Sequence, residues 1–173
     1  DCKAYGIDGI NVDFEQVDPK TESHYIQFIR ELSVACHDND LVVSVDNYVP
    51  TAYTAFYNRE EQGRYVDYVV IMAYDEHAGN SDVAGSVASI GFVEQGIVDT
   101  IEMVEADKII NGIPFYTRGW VTENGETDAV TLTMGGQNQF ITSYGIEVEW
   151  DETTGQYYGE SNVDDVLYQI WME

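Results

Sequence analysis

Basic residues are scarce in this 173-residue chain. Seven Lys and Arg stand against 32 Asp and Glu, for a net charge of −25. A field of that sign repels nucleic acid and anionic membrane surfaces, so neither is an expected partner. It leaves neutral or cationic partners, or simple solubility, because the acids are spread along the chain. Cysteine is nearly absent. Cys2 and Cys36 are too few for a disulfide scaffold or a structural zinc site, and the sequence leaves open whether they pair. No apolar run approaches the ~20 residues of a membrane helix, so no insertion into a bilayer is expected. No signal peptide is visible, as in a chain whose reading begins in mid-domain. No G-x-G-x-x-G turn follows a strand and no Walker-type loop occurs, which removes the main support for an open nucleotide-binding sheet. Aromatic rings are plentiful by contrast. Thirteen Tyr and three Trp supply flat amphipathic faces that suit sugars, or that fill a core.

The pattern of elements is α/β. Residues 7–14 read as a strand, with Ile10, Val12 and Phe14 on one side and Asn11, Asp13 and Glu15 on the other. Thr21 is placed to cap a helix over about 22–37, whose Tyr25, Ile26, Phe28, Ile29, Leu32 and Ala35 recur at helical spacing. Strands follow at 41–45, 66–74 and 108–115, with helical segments near 54–64 and 87–105 between them. Apolar strands alternating with helices predict a parallel sheet. From 117 to 165 the pattern changes to a loop region with a short helix near 137–143 and a hairpin turned at 153–155, before a closing strand at 167–171. About five core strands against the ~250 residues of a complete (β/α)8 barrel predict only part of one.

Chemistry concentrates on the first strand. Alternate residues of a strand lie about 6.6 Å apart, so the Asp13 and Glu15 side chains can lean together. Two such carboxyls cannot both ionise freely, and one is pushed toward holding its proton near neutrality, with coupled titration.

The run Asp8-Gly9-Ile10-Asn11-Val12-Asp13-Phe14-Glu15 resembles the D-G-x-D-x-D-x-E signature of glycoside hydrolase family 18, the chitinase family. Met72-Ala73-Tyr74-Asp75 is similar to the family's M-x-Y-D strand end. Gly112-Ile113-Pro114-Phe115-Tyr116-Thr117-Arg118 is similar to its G-x-P-F-Y-x-R strand, and Ile170-Trp171 to its final strand. The phrasing is nearest to the spore-cortex-lytic and cell-wall N-acetylglucosaminidase branch.

The resemblance implies a TIM barrel of which strands four to eight are present, over residues 1–173, with 117–165 inserted before the last strand. It implies a glycosidase acting on an N-acetylglucosamine-containing polysaccharide, peptidoglycan or chitin-like, without cofactor or metal. It also implies a secreted, cell-envelope or spore location. Glu15 would be the catalytic acid, Asp13 would orient the substrate's 2-acetamido group, and Tyr74 would hydrogen-bond that group. Asp75, Asn11, Tyr116, Arg118 and Trp171 would line the sugar site, Trp171 as its apolar floor. Asn11 departs from the family pattern, which carries Asp there, and an amide cannot exchange a proton with Asp13. The alternative is a non-catalytic carbohydrate-binding protein on the same scaffold, and the presence of Glu15 argues for the enzyme. Asp75, Glu76 and His77 are successive residues that do not converge on one ion. Oligomeric state is not legible.

Overall fold

The computed structural model describes residues 2–173, which divide into two compact units. The first comprises residues 2–72 with Gln95–Gly112, the second Ala73–Glu94 with Ile113–Glu173.

The first unit is built on a four-stranded parallel sheet. Its strands are β1 (Gly9–Val12), β2 (Val42–Tyr48), β3 (Tyr68–Met72) and β4 (Ile109–Gly112), in the order β1-β2-β3-β4. Sequential strands are spatial neighbours throughout, with no reversal of order. A short helix α1 (Cys2–Tyr5) precedes β1, and α2 (Glu22–His37) and α3 (Arg59–Tyr65) make the crossovers to β2 and β3. Helix α4 (Ile90–Ile101) lies on the crossover to β4. The two faces of β2 differ. Val43, Val45 and Asn47 are buried, whereas Ser44, Asp46 and Tyr48 are only half-buried. Asn47 exchanges hydrogen bonds with Gln62 of α3, so the buried face is the helix-covered one. Helix α2 buries Tyr25, Ile26, Ile29, Ser33 and Cys36, a stripe at helical spacing.

Local chemistry sets the boundaries. The helix at 22–37 begins and ends as the periodicity predicts. Thr21 makes no side-chain cap; it closes a 3-10 turn (Pro19–Thr21), its hydroxyl donating to the Asp18 carbonyl. Asn58, at φ 51°, caps α3 by accepting from the Glu61 amide. Cys2 and Cys36 are free thiols, and burial pushes the Cys36 thiol up. The first strand stops at Val12, two residues short of the expected end. Phe14 leaves the alternation to stack on Phe28 of α2, centroids 5.5 Å apart.

The second unit carries a five-stranded antiparallel sheet. Its strands are β5 (Tyr116–Glu123), β6 (Glu126–Thr133), β7 (Glu147–Asp151), β8 (Gln156–Val163) and β9 (Val166–Met172), ordered β6-β5-β9-β8-β7. Helix α5 (Met134–Tyr144) is capped by Thr133 and ended by Gly145 at φ 61°. It closes a core of Phe140, Ile146 and Ile170, with Val121, Leu132 and Tyr168 against them. Trp120 is fully buried and donates to the Gly85 carbonyl at 2.8 Å.

The four parallel strands form an open sheet, and neither sheet closes into a barrel among the described residues. Two expectations need correction. The strand ending in Ile170-Trp171 is not a fifth parallel strand. As β9 it pairs antiparallel with β5 and β8, because the two-residue turn at Asp164 and Asp165 folds it directly back on β8. Residues 117–133, read as loop, are a hairpin turned at Asn124-Gly125, where φ is positive at both residues as a type I′ turn requires.

Gly159 in β8 lies between Val148 and Ile170. A Cβ there would stand 2.5 Å from the Glu147 carbonyl oxygen and 2.6 Å from Ile146 Cγ2. Backbone and a core side chain would both have to move. Gly159→Ala is expected to cost about 1–3 kcal/mol, read as a lowered thermal midpoint; an unchanged midpoint would refute this account of the packing.

Candidate active site

In the first unit, parallel pairing sets Asn11 against Ser44 and Val12 against Val45. Asp13 and Asp46 each stand one residue past the paired valines. The outcome is a polar face on two adjacent strands and the loop beyond them. The Asn11 amide donates to Ser44 Oγ at 2.9 Å and to Asp46 Oδ1 at 2.8 Å. The Tyr48 hydroxyl donates to Glu15 Oε2 at 2.8 Å. Partial desolvation, then the negative charges of Asp46 and Glu15, raise the Asp13 carboxyl above its ordinary range. Burial, and then the bond to Glu15, push the Tyr48 phenol up to about 12, so it remains a donor at any working pH.

The loop that carries Glu15 is fixed from behind. Tyr57, fully buried, donates to the Phe14 carbonyl at 3.2 Å and accepts from the Val17 amide at 3.4 Å. Gln16 between them adopts φ 53°. Tyr48 is anchored in turn. Arg59, 2% exposed, donates to the Tyr48 carbonyl at 2.7 and 3.2 Å and to the Thr54 carbonyl at 3.1 Å. An uncompensated guanidinium is costly to bury, and burial lowers its pKa to about 10. Four backbone and hydroxyl acceptors offset that cost while holding the end of β2.

In the second unit, Asp75 takes φ 59°, a left-handed conformation uncommon outside glycine. Two donors from β5 hold it, and those two pack on each other. Tyr116 Oη donates to Asp75 Oδ1 at 2.7 Å, Arg118 Nη2 donates to the same oxygen at 2.5 Å, and the guanidinium lies 5.5 Å from the Tyr116 ring centroid. Burial, and then the bond to Asp75, raise the Tyr116 phenol. Tyr74 meets Tyr116 edge to face, centroids 6.3 Å apart. Arg118 is 8% exposed, and its remaining bonds go to the His77 carbonyl and Thr131 Oγ1. Three of its five N–H groups are thus directed at protein, and one of them holds Asp75. Trp171, half-buried on β9, packs on Tyr158 at 4.6 Å.

The side chains of Asp75, Glu76 and His77 diverge. Asp75 meets Arg118 and Tyr116, Glu76 accepts from the Ser89 amide, and His77 Nδ1 lies 2.9 Å from the Ser86 carbonyl. No group of three or more His, Cys, Asp or Glu among the described residues is arranged to hold a metal ion. None of the described helices is long and apolar enough to cross a membrane.

A model of the family described as Glycosyl hydrolases family 18 matches residues 2–172. The chain belongs to glycosyl hydrolase family 18. It is 31% identical over 135 residues to the uncharacterized glycosylase YvbX of Bacillus subtilis, a match that takes in 75% of this chain and 39% of YvbX. It is 25% identical over 182 residues to the cortical fragment-lytic enzyme of the same species, covering 99% of this chain and 42% of that enzyme. Among solved structures it superposes on a chitinase from Chromobacterium violaceum with a TM-score of 0.87 at 28% identity, covering 99% of this chain and 55% of the chitinase. The chain thus spans about two fifths of the length of these curated relatives.

Within this family 18 chain, the signature residues Asn11, Asp13 and Glu15 share one polar face, and Tyr74, Asp75, Tyr116 and Arg118 form one cluster. Asp46, Tyr48 and Tyr57 escaped the sequence reading. The signal available was the strand at 42–48. Its alternation leaves Ser44, Asp46 and Tyr48 on one side, and three polar positions on one side of a buried parallel strand are anomalous.

Proposed function

We propose that this chain carries the catalytic acid of a glycosidase that cleaves β-linked N-acetylglucosamine, in spore-cortex or wall peptidoglycan or in chitin-like oligomers. One observation carries the reading: the Asp13 and Glu15 carboxyls stand together on a face where the Tyr48 hydroxyl holds Glu15 and the charges of Asp46 and Glu15 bear on Asp13. The names of the relatives, cortical fragment-lytic enzyme and chitinase, support the substrate class and a spore or cell-envelope location. The unreversed strand order of the parallel sheet supports reading it as an arc of a (β/α)8 barrel.

In this mechanism Glu15 protonates the glycosidic oxygen as the C1–O bond breaks. The substrate's own 2-acetamido oxygen attacks C1 and forms a cyclic oxazolinium, the substrate-assisted exception to the two-carboxylate scheme. Asp13 orients the acetamido group and stabilises its developing positive charge. Water then opens the ring while Glu15 takes back a proton, and configuration is retained. Tyr74 and Asp75 are assigned to the same sugar on the strength of their motif. Trp171 is assigned to the floor of that sugar site on the strength of the same resemblance.

The decisive substrate pair is N-acetylglucosamine oligomers and the same oligomers after de-N-acetylation. The intact protein is expected to release reducing ends from the first and none from the second, which lacks the internal nucleophile. Cleavage of both at similar rates would overturn the mechanism. Binding of the acetylated oligomer without cleavage would replace the enzyme by a carbohydrate-binding protein.

A further inference from the structure

We propose that Asp46 is a positioning residue of this site: from the neighbouring strand it supplies the carboxylate that position 11 lacks, and it sets the state in which Asp13 meets the sugar. The inference rests on the glycosidase reading above and deepens it.

Asn11 shows how. An amide nitrogen has two protons, and both are taken, one by Ser44 Oγ and one by Asp46 Oδ1. An ionised carboxylate only accepts, so Asp46 fixes which end of the Asn11 amide faces β2. The free atom of Asn11 is then Oδ1, an acceptor. The parallel register also places Asp46 beside Asp13, each one residue past the paired Val12 and Val45.

The field of Asp46 acts on Asp13 as well. The titratable groups that bear on Asp13 and its partners are Glu15 on its own loop, Asp46 and Tyr48 on β2, Tyr57 in the turn before α3, and Tyr25 on α2. With Asp13 itself they comprise three carboxyls and three phenols. Among the described residues, no Lys, Arg or His figures among the causes that raise Asp13, which are desolvation, Asp46 and Glu15 in that order. A cluster of acids without a cation retains a proton that an isolated carboxyl would release. Asp46 sits where it strengthens that retention without occupying the place of the sugar-facing pair.

The test follows the titration of the Asp13 carboxyl by NMR in the intact protein labelled on aspartate, with Asp13→Asn to assign the resonance. In Asp46→Asn, which keeps shape and removes charge, Asp13 is expected to titrate at lower pH. Asp46→Glu is expected to restore much of the shift. The acid limb of kcat on N-acetylglucosamine oligomers, below which a protonated Asp13 no longer stabilises the positive charge, should move down with the titration in Asp46→Asn. An Asp13 titration that ignores both substitutions would overturn the proposal, because a merely structural role for Asp46 moves stability and not this midpoint. If the unmutated protein cuts no such sugar, the glycosidase reading falls, while the NMR titration still decides the role of Asp46.

Discussion

Glu15→Gln is expected to lower turnover by about 10²–10⁴-fold, the usual contribution of a positioned general acid, while binding of N-acetylglucosamine oligomers is preserved. The substitution is conservative in shape. The Tyr48 hydroxyl donates to Glu15 Oε2, and the carbonyl oxygen of glutamine can accept that bond. Missing is only a proton that can be transferred. Loss of rate with an unchanged dissociation constant would therefore isolate proton donation from folding and from recognition. Turnover equal to that of the parent would show that another group is the acid. Loss of binding together with rate would show that Glu15 holds the sugar rather than activating it.

The second large effect concerns stability. Asp75→Ala is expected to be more damaging than Arg118→Met, although both remove the same ion pair. Arg118 has a side-chain exposure of 9% and Asp75 one of 44%. Removing the arginine leaves a carboxylate that can turn to water, so the loss is mainly three hydrogen bonds, about 2–3 kcal/mol. Removing the aspartate leaves a buried guanidinium with neutral acceptors only, and stranding a buried charge costs about 3–5 kcal/mol. Urea unfolding of the two variants gives the comparison. The reverse order, or equal losses, would mean that Arg118 reaches solvent more freely than its burial indicates.

Where the sequence was legible, a single element carried the whole signal. The α2 helix was readable from its own periodicity, and the acid pair from residues two apart on one chain segment. The Asp75 cluster was readable only as two separate motifs, one at 72–75 and one at 112–118. What the sequence concealed depends on pairing between distant segments. Tyr48 meets Glu15 across 33 positions, and Asp46 meets Asn11 across 35. The β5–β6 hairpin is a different kind of omission. Asn124-Gly125 is a strong local turn signal, but its flanking strands are mostly polar, with a half-exposed Val130 and an exposed Glu123, so their alternation is faint. The closing strand was read correctly as a strand and wrongly as parallel, because its apolar run is equally compatible with the centre of an antiparallel sheet.

The parallel register of β1 on β2 has a consequence for quality control. A slip of one residue exchanges the two faces of a strand. Asn11, Asp13 and Glu15 would then turn toward the helix layer, and Val12 would take their place opposite Ser44 and Asp46. Misregistered molecules could resemble the native fold in helix content and compactness and yet hold no acid at the working face. Specific activity per folded molecule is therefore a gauge of strand alignment, and it can expose errors of folding to which circular dichroism and hydrodynamic radius are blind.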